Sequence, residues 1–442
     1  MQYARILLIT LLLILLNACG NTAQTPPPAP TAATPADLSE TAPETPATAD
    51  ESAETSADSD VTDWESIVAA ADGQTVNWYM WGGAESINTF VDTFYGTRLQ
   101  ERYNITLNRV PVGDAVDFVN QLLSEKEAGI DPGSIDLMWI NGENFASLKQ
   151  ADMLFDGWAR SMPNSQYVDW DNPALNLDFG EPIEALESPW SSAQFQFIYD
   201  TARMSEADLP RSYAELKAWA CANPGRFTYI APGPGAFQGT RFVKGALFEL
   251  SGDSGQWLEM DQALWDEWSP QLWAYFNEIK PCLWREGETY PRDENELHSL
   301  FANQEVDMSI TQAIAGPGTL IAEGLIPETS QTFVFDGFMI GDYNYVAIPA
   351  NAPNKEAALV LANMILDPEL QAAQIIPDNG FGLGFGIDIN RVSAEDAQLL
   401  QEAAQQRTNA TPPEDLARSL VNDSAGAYQV LVEEGWRENV LR

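Results

Sequence analysis

The chain alternates short apolar runs with longer segments in which an apolar residue recurs every three to four positions. A run rich in β-forming residues over 75–80 ends near two glycines and predicts a strand, and the apolar spacing over 86–103 predicts a helix. Further strands follow at 105–110 and 135–140, with helices at 115–128 and from residue 145. Such an alternation with short loops predicts an α/β fold with parallel strands and helical crossovers.

The second half of the chain continues in a mixed pattern. Strands are predicted at 194–199, 227–230, 307–311, 333–335 and 345–348, and helices at 212–221, 258–279, 293–303 and 355–366. The glycine- and proline-rich segment 231–239 is expected to be a loop. Ligands of open α/β sheets bind beyond the carboxyl ends of the strands, so a site is expected in the loops that follow the predicted strands.

The N-terminal segment differs in composition from the rest. An apolar run over 6–16 is too short for a comfortable membrane span and fits the core of a secretion signal. It ends in Leu-Asn-Ala-Cys, which resembles the lipobox of bacterial lipoproteins, so residues 1–19 are predicted to be a signal peptide ending at a lipidated Cys19. An ordinary secretion signal with a chance cysteine is the alternative. Residues 20–63, rich in proline, alanine, threonine and glutamate, are predicted to form a disordered stalk.

Charge and residue types exclude several kinds of partner. With 22 Lys and Arg against 65 Asp and Glu, the formal net charge is −43, and so acidic a surface would repel nucleic acid and anionic membranes. One histidine and three cysteines are too few for a zinc site with the usual four ligands. An oxygen-ligated ion such as calcium stays open as an alternative, although the acids show no EF-hand-like spacing. No metal or other cofactor is assigned. With Cys19 lipidated, Cys221 and Cys282 remain as a pair, which predicts a disulfide in an oxidising compartment; two unrelated buried thiols are the alternative.

Several motifs resemble those of one family. Trp-Tyr-Met-Trp-Gly-Gly at 78–83 and Ala-Pro-Asn-Lys-Glu-Ala-Ala at 352–358 resemble segments of extracellular solute-binding lipoproteins of bacterial ABC importers, of the bilobal type 2 class of periplasmic binding proteins. Trp-Ile-Asn-Gly-Glu-Asn-Phe at 139–145 resembles the motif of one subfamily of that group. The resemblance implies an α/β fold of two lobes whose sheets exchange strands, with a ligand cleft between the lobes.

The resemblance also implies an organisation and a function. Lobe I is expected to comprise residues 64–195 and 312–348, and lobe II residues 196–311 and 349–442. The lobes would close on a small organic solute outside the cytoplasm, and the closed form would deliver it to an ABC permease driven by a cytoplasmic ATPase. The protein would be a monomer attached to the membrane only through its lipid anchor, in the periplasm or at the cell surface.

The candidate ligand-binding residues follow predicted strands or lie at the expected hinge. They are Trp81, Gly82, Gly83, Asn141, Glu143, Asn144, Trp190, Gln194, Thr240, Arg241, Thr311, Gln312, Tyr343, Asn344 and Tyr345. Aromatic faces could stack on the solute, and Arg241 could hold an anionic group. The structural alternatives are a glycine turn with a core position for Trp81, packing of the hinge for Trp190, a helix cap at Asn144 and a local ion pair of Arg241. The mix of aromatic faces, amides and one acid favours an uncharged or cationic organic solute over a small oxyanion.

Other classes of function remain open from the sequence. With 65 acids, paired catalytic carboxylates are available, so a secreted carbohydrate-active hydrolase is the alternative to a binding protein. A surface adhesion lipoprotein, which would bind a macromolecule and lack a cleft between lobes, is the third. Gly-Asp-Ser-Gly at 252–255 matches a fragment found around the nucleophile of trypsin-like proteases. A serine protease is excluded because the single histidine, His298, follows Ser254, whereas in those proteases the histidine precedes the serine. No catalytic residue is assigned, and no enzyme activity is expected.

Overall fold

The computed structural model describes residues 63–442, so the predicted signal peptide, Cys19 and the stalk up to residue 62 lie outside the described residues. In order of neighbours, the larger sheet contains Gly384–Phe385, Glu187–Gln194, Met339–Ala347, Leu137–Ile140, Thr75–Trp81 and Thr106–Val112, with Leu420–Val421 beside Met339–Ala347. The smaller sheet contains Met308–Thr311, Gln196–Asp200 and Ser330–Phe333, and Leu177–Asp178 pairs separately with Glu181–Pro182.

The three strands of the larger sheet that come first in the sequence are parallel, as their alternation with helices predicted. Thr75–Trp81 lies in the middle and pairs with Thr106–Val112 on one side and Leu137–Ile140 on the other. Met339–Ala347 runs antiparallel to Leu137–Ile140 and to Glu187–Gln194. The carboxyl ends of the parallel strands therefore share one edge of the sheet, where the loops after Trp81 and Ile140 meet.

The chain passes between the two sheets through short connections. It leaves the larger sheet at Gln194 and enters the smaller one at Gln196. It returns over residues 334–338, which join Ser330–Phe333 in the smaller sheet to Met339–Ala347 in the larger. At these two places consecutive strands belong to different sheets, which confirms the strand exchange expected of the two-lobe fold.

The helices surround both sheets, and most have clear starting signals. They are Trp64–Ala71, Glu85–Phe90 continuing through Val91–Tyr95 into Gly96–Tyr103, Val116–Ala128, Glu143–Gln150, Tyr213–Ala222, Phe237–Ser251, Gln262–Ile279, Glu294–Ala302, Gly318–Ala322, Lys355–Met364, Pro368–Ile375, Ala394–Ala404, Pro413–Ser419 and Ala427–Trp436. Ser212 caps its helix, accepting from the Glu215 N–H at 3.1 Å. Asp293 caps Glu294–Ala302 in the same way, accepting from the Glu296 N–H at 2.9 Å.

Two hydrophobic cores correspond to the two sheets, and their membership differs from the expected lobe boundaries. Ser330–Phe333, expected in lobe I, pairs with Gln196–Asp200 in the smaller sheet. Lys355–Met364 and Pro368–Ile375, expected in lobe II, contribute to the core of the larger sheet. All positions of Lys355–Met364 after the first two are buried, and a helix apolar on every face must be covered on every face. Ala427–Trp436 does lie in the second core, as expected.

Two local predictions around residue 230 were wrong. Residues 227–230 are extended but belong to no sheet: the Phe227 carbonyl accepts from the Trp284 N–H at 2.8 Å, outside any strand ladder. The expected loop 231–239 ends early, because Phe237–Ser251 is a helix that already includes Thr240 and Arg241.

The predicted disulfide between Cys221 and Cys282 is confirmed. It joins the end of Tyr213–Ala222 to the turn that follows Gln262–Ile279. Within residues 63–442, no helix combines the length and the apolarity that crossing a membrane requires.

Candidate functional site

A cavity of about 250 Å³ lies between the carboxyl edge of the larger sheet and the elements of the second core. Of the residues predicted from the sequence, Trp81, Asn141, Asn144, Arg241, Thr311, Gln312 and Asn344 line it. Trp81, Asn141, Asn144 and Asn344 come from the larger sheet or its loops, and Arg241, Thr311 and Gln312 from the second core's side. The cavity therefore has walls from both halves of the molecule.

The loop after Leu137–Ile140 is held open toward the cavity by buried hydrogen bonds. Asn141 donates from Nδ2 to the Tyr343 carbonyl at 2.9 Å, and the Gly142 N–H donates to Asp178 at 2.6 Å. Gly142 has a φ of 62°, and a Cβ there would lie 2.5 Å from the Phe179 ring. Only glycine fits this turn, because both the backbone conformation and the space exclude a side chain. Helix Glu143–Gln150 then begins at once and places Asn144 on the cavity wall.

Aromatic rings form much of the cavity wall. Trp81, the last residue of strand Thr75–Trp81, is 36% exposed. Its ring contacts the Trp139 ring edge to face, with 6.5 Å between the centroids. The centroids of the Phe179 and Phe237 rings lie 6.2 Å apart, and Phe381 also lines the space. Flat apolar faces with a few polar groups suit a ring-containing organic ligand.

The cation on the wall, Arg241, is already paired within the protein. Its guanidinium contacts Asp342 and Gln312 and lies 3.4 Å from Asp423. Lys244, one helical turn further, lies 2.5 Å from Asp423 and is buried. The alternative of a local ion pair is therefore what the structure shows for Arg241, and among the described lining residues it is the only Lys or Arg.

Buried carboxyl groups are in excess around the cavity. Burial raises the pKa of Glu294, on the wall, to about 7, although a hydrogen bond from Gln238 lowers it in part. Burial likewise raises the pKa of Glu143 to about 7 and that of Asp342 to about 6. The nearby cations Arg241 and Lys244 lower these values only in part, so the surroundings favour a positive or neutral ligand over an anion.

The other predicted residues do not line the cavity. Trp190 and Tyr345 are core residues, and Gln194 is held by the Leu416 carbonyl and Ser419 at 2.9 and 3.1 Å. Gly82 packs on Pro111 and Gly83 on the Trp81 ring, while Tyr343 faces a separate surface pocket. The Thr240 hydroxyl donates to Oε1 of Glu433 at 3.1 Å. Oε2 of Glu143 is buried and has no hydrogen-bond partner among the described residues. Trp190, Gln194 and Tyr345 lie on strands and Thr240 lies on a helix, and the periodicity of these elements turns their side chains away from the wall.

Several wall residues were not predicted from the sequence. Glu294 and His298 lie four positions apart on the predicted helix 293–303, a spacing that places them on one face, which was an available signal. Asp114, Gln238 and Phe237 also line the cavity. Phe179 has a positive φ of 45° in an irregular segment, so its sequence carries no signal of its position.

The described residues contain no group of three or more His, Cys, Asp or Glu side chains placed to hold a metal ion. The expectation that no cofactor is bound is left as a prediction.

Substituting Glu143 with glutamine is expected to change the pH dependence of stability. Burial raises the pKa of Glu143 from 4.5 to about 7 in the folded state, so the folded protein binds this proton more tightly than the unfolded chain does. The free energy of unfolding of the wild type therefore falls as the pH rises between those values. The free energy of unfolding of Glu143→Gln, relative to wild type, should therefore rise by about 2–3 kcal/mol between pH 4.5 and pH 8. Urea unfolding at both values measures it. Glu278→Gln is the control, because Glu278 is an exposed carboxylate that pairs with Lys217. The expectation would be contradicted if the free energy of unfolding changed equally with pH in the wild type and in Glu143→Gln.

The fold and the cavity have counterparts among known proteins. The sequence model of the bacterial extracellular solute-binding protein family matches residues 94–387. The chain belongs to this family. Protein YnjB of Escherichia coli strain K12 is 35% identical over 362 residues, which cover 81% of this chain and 89% of YnjB. The chain is thus an extracellular solute-binding protein.

Solved structures show the same fold at low identity. The spermidine/putrescine ABC transporter substrate-binding protein PotD of Streptococcus pneumoniae has a TM-score of 0.56 at 13% identity, covering 83% of this chain and 98% of PotD. AfuA of Actinobacillus pleuropneumoniae, with fructose-6-phosphate bound, has a TM-score of 0.56 at 12% identity, covering 83% of this chain and 98% of AfuA. A periplasmic thiamin binding protein has a TM-score of 0.56 at 13% identity, covering 83% of this chain and 96% of that protein. The expected type 2 two-lobe fold is confirmed, and the hydrolase alternative receives no support from these comparisons.

Proposed function

We propose that the cavity between the two cores is the solute site, and that its solute is an uncharged or cationic organic molecule containing a flat ring. The observation that carries this proposal is the composition of the wall: Trp81, Trp139, Phe179 and Phe237 surround a space whose one Lys or Arg among the described lining residues is paired internally. An anionic solute would need a cation whose charge is not already balanced, and Arg241 is paired with the carboxylates of Asp342 and Asp423.

The mechanism follows from walls that belong to different halves. A solute that contacts Trp81 on the larger sheet and Phe237 on the second core's side gains both sets of contacts only when the halves are close together. Binding therefore shifts the population toward the closed form. We propose residues 334–338 and the break at Phe195 as the hinge, since the chain changes sheet at both places. The closed form would dock on the permease, and a cytoplasmic ATPase would drive transport.

The placement outside the cytoplasm is proposed to depend on the N-terminal segment. Lipidation of Cys19 would anchor the chain, and residues 20–63 would tether a monomeric binding unit to the membrane. The solute is proposed to leave unchanged, without catalysis. Mass spectrometry of a bound solute before and after incubation tests this, since a hydrolase would release altered product.

Substituting Trp81 with alanine is expected to weaken solute binding by about 2 kcal/mol, roughly 30-fold, because a partly exposed ring on the cavity wall loses its stacking contact. The measurement is a thermal-shift screen of small metabolites, followed by calorimetric affinities for each solute that stabilises the wild type. Trp268→Ala, at a partly buried position on Gln262–Ile279 outside the cavity, is the matched control. Equal affinities of Trp81→Ala and the wild type would refute the site.

A further inference from the structure

The single histidine of the chain has one ring nitrogen fixed by a buried serine. His298, on helix Glu294–Ala302, lies with Nδ1 2.8 Å from Oγ of Ser309, on strand Met308–Thr311. Both side chains are buried, and His298 also lines the cavity. The ring is therefore held between a serine behind it and the solute space in front of it.

The hydrogen bond decides which ring nitrogen carries the proton. Within the described residues, the Ser309 hydroxyl contacts no side-chain or backbone oxygen that could accept its proton, so His298 Nδ1 is its acceptor. A buried hydroxyl that donates to nothing would leave a costly unsatisfied group. With Nδ1 as acceptor, the neutral imidazole carries its proton on Nε2. Burial lowers the pKa of His298 to about 4, despite the opposing effect of Asp293, so the ring is neutral near pH 7.

A carboxyl group accompanies this N–H on the wall. Glu294 lies four residues before His298 on the same helix, a spacing that puts their side chains on one face, and both line the cavity. Gln238 and Arg241 lower the pKa of the Glu294 carboxyl, and Asp293 raises it. One turn of helix thus presents an N–H donor beside a carboxylate acceptor.

We propose that His298 and Glu294 form a specificity-determining pair that selects solutes carrying a hydrogen-bond acceptor beside an N–H donor on an aromatic ring, as in an aromatic carboxamide, with Ser309 as the positioning residue. This inference rests on the proposed solute site. The His298 Nε2–H donates to the solute's acceptor, Glu294 accepts from its N–H, and the ring lies against the aromatic wall. A solute with only one of the two groups leaves a wall group unsatisfied, which costs affinity.

The tautomer is measured first, without any ligand. In ¹⁵N-histidine-labelled protein purified without a histidine tag, every imidazole signal belongs to His298. Long-range ¹H–¹⁵N correlation spectra at pH 7 should show the Nε2–H tautomer, and Ser309→Ala, which removes the donor to Nδ1, should raise the fraction of the Nδ1–H tautomer while keeping the fold by circular dichroism. An Nδ1–H tautomer in the wild type, or an unchanged preference in Ser309→Ala, would overturn the role given to Ser309 and the pair with it.

The selectivity is measured with two probes of equal shape. Benzamide has a carbonyl acceptor beside an NH₂ donor, whereas acetophenone has a methyl group in place of the NH₂. Benzamide should shift the His298 ¹⁵N signals with an affinity about tenfold tighter than acetophenone's. His298→Gln keeps a donor near the Nε2 position and should retain most of the preference, read by calorimetry, whereas His298→Asn should lose it. Equal affinities for the probes, or no binding of either, would overturn the proposed pair.

These outcomes separate the pair from the solute site itself. If the pair is wrong but the cavity binds solutes, the metabolite screen still finds ligands whose affinity falls in Trp81→Ala. If the cavity is not the solute site, the His298 tautomer is still measurable, and those ligands keep their affinity in Trp81→Ala.

Discussion

Replacing Lys244 with methionine is expected to lower the free energy of unfolding by about 3–5 kcal/mol. The Lys244 ammonium is 1% exposed and lies 2.5 Å from an oxygen of Asp423, which is equally buried. Removing the cation leaves the Asp423 carboxylate in a low-dielectric site with only the more distant Arg241 to compensate it. Urea denaturation of the purified protein measures the change.

Two further variants make that result specific. Lys217→Met removes an exposed lysine whose partner, Glu278, is itself largely exposed, and should cost no more than about 1 kcal/mol. Adding Asp423→Asn to Lys244→Met removes the uncompensated charge and should recover much of the lost stability. Similar losses for Lys217→Met and Lys244→Met, or no recovery in the double variant, would contradict the expectation.

Substituting Trp190 with alanine is expected to cost about 3–5 kcal/mol of unfolding free energy. Its ring is fully buried and lies 5.1 Å from the centroids of Trp78, Trp139 and Phe381. The sequence left open whether Trp190 stacks on the solute or packs the core, and the structure places it in the core. Calorimetric unfolding measures the loss, with Trp268→Ala, expected within about 1 kcal/mol, as control. A Trp190→Ala protein of wild-type stability with weaker solute binding would instead indicate direct contact with the solute.

The local part of the fold could be predicted from sequence. Strand Thr75–Trp81 and its neighbours alternate with helices closely enough that parallel pairing follows. The helix Phe237–Ser251 was missed because a glycine- and proline-rich stretch precedes it, and that stretch masks its start. The positions of Lys355–Met364 and Ser330–Phe333 could not be assigned to a half, because that depends on which core covers them and not on their own periodicity.

The cavity was accessible to sequence reasoning only where it follows strand ends. Trp81 and Asn141 line it because the carboxyl ends of two parallel strands share an edge. Glu294 and His298 reach it from a helix of the second core, a placement set by tertiary packing across hundreds of residues of chain. Phe179 enters from an irregular segment, where no periodicity exists to read.

The central claim is that an organic solute binds between the two cores. A crystal structure of the protein with a stabilising solute from the metabolite screen tests it most directly. The solute is expected with its ring between Trp81 and Phe237 and its polar groups near Glu294 and His298. A solute bound elsewhere, such as the surface groove beside Trp265 on Gln262–Ile279, with the central cavity empty, would contradict the claim.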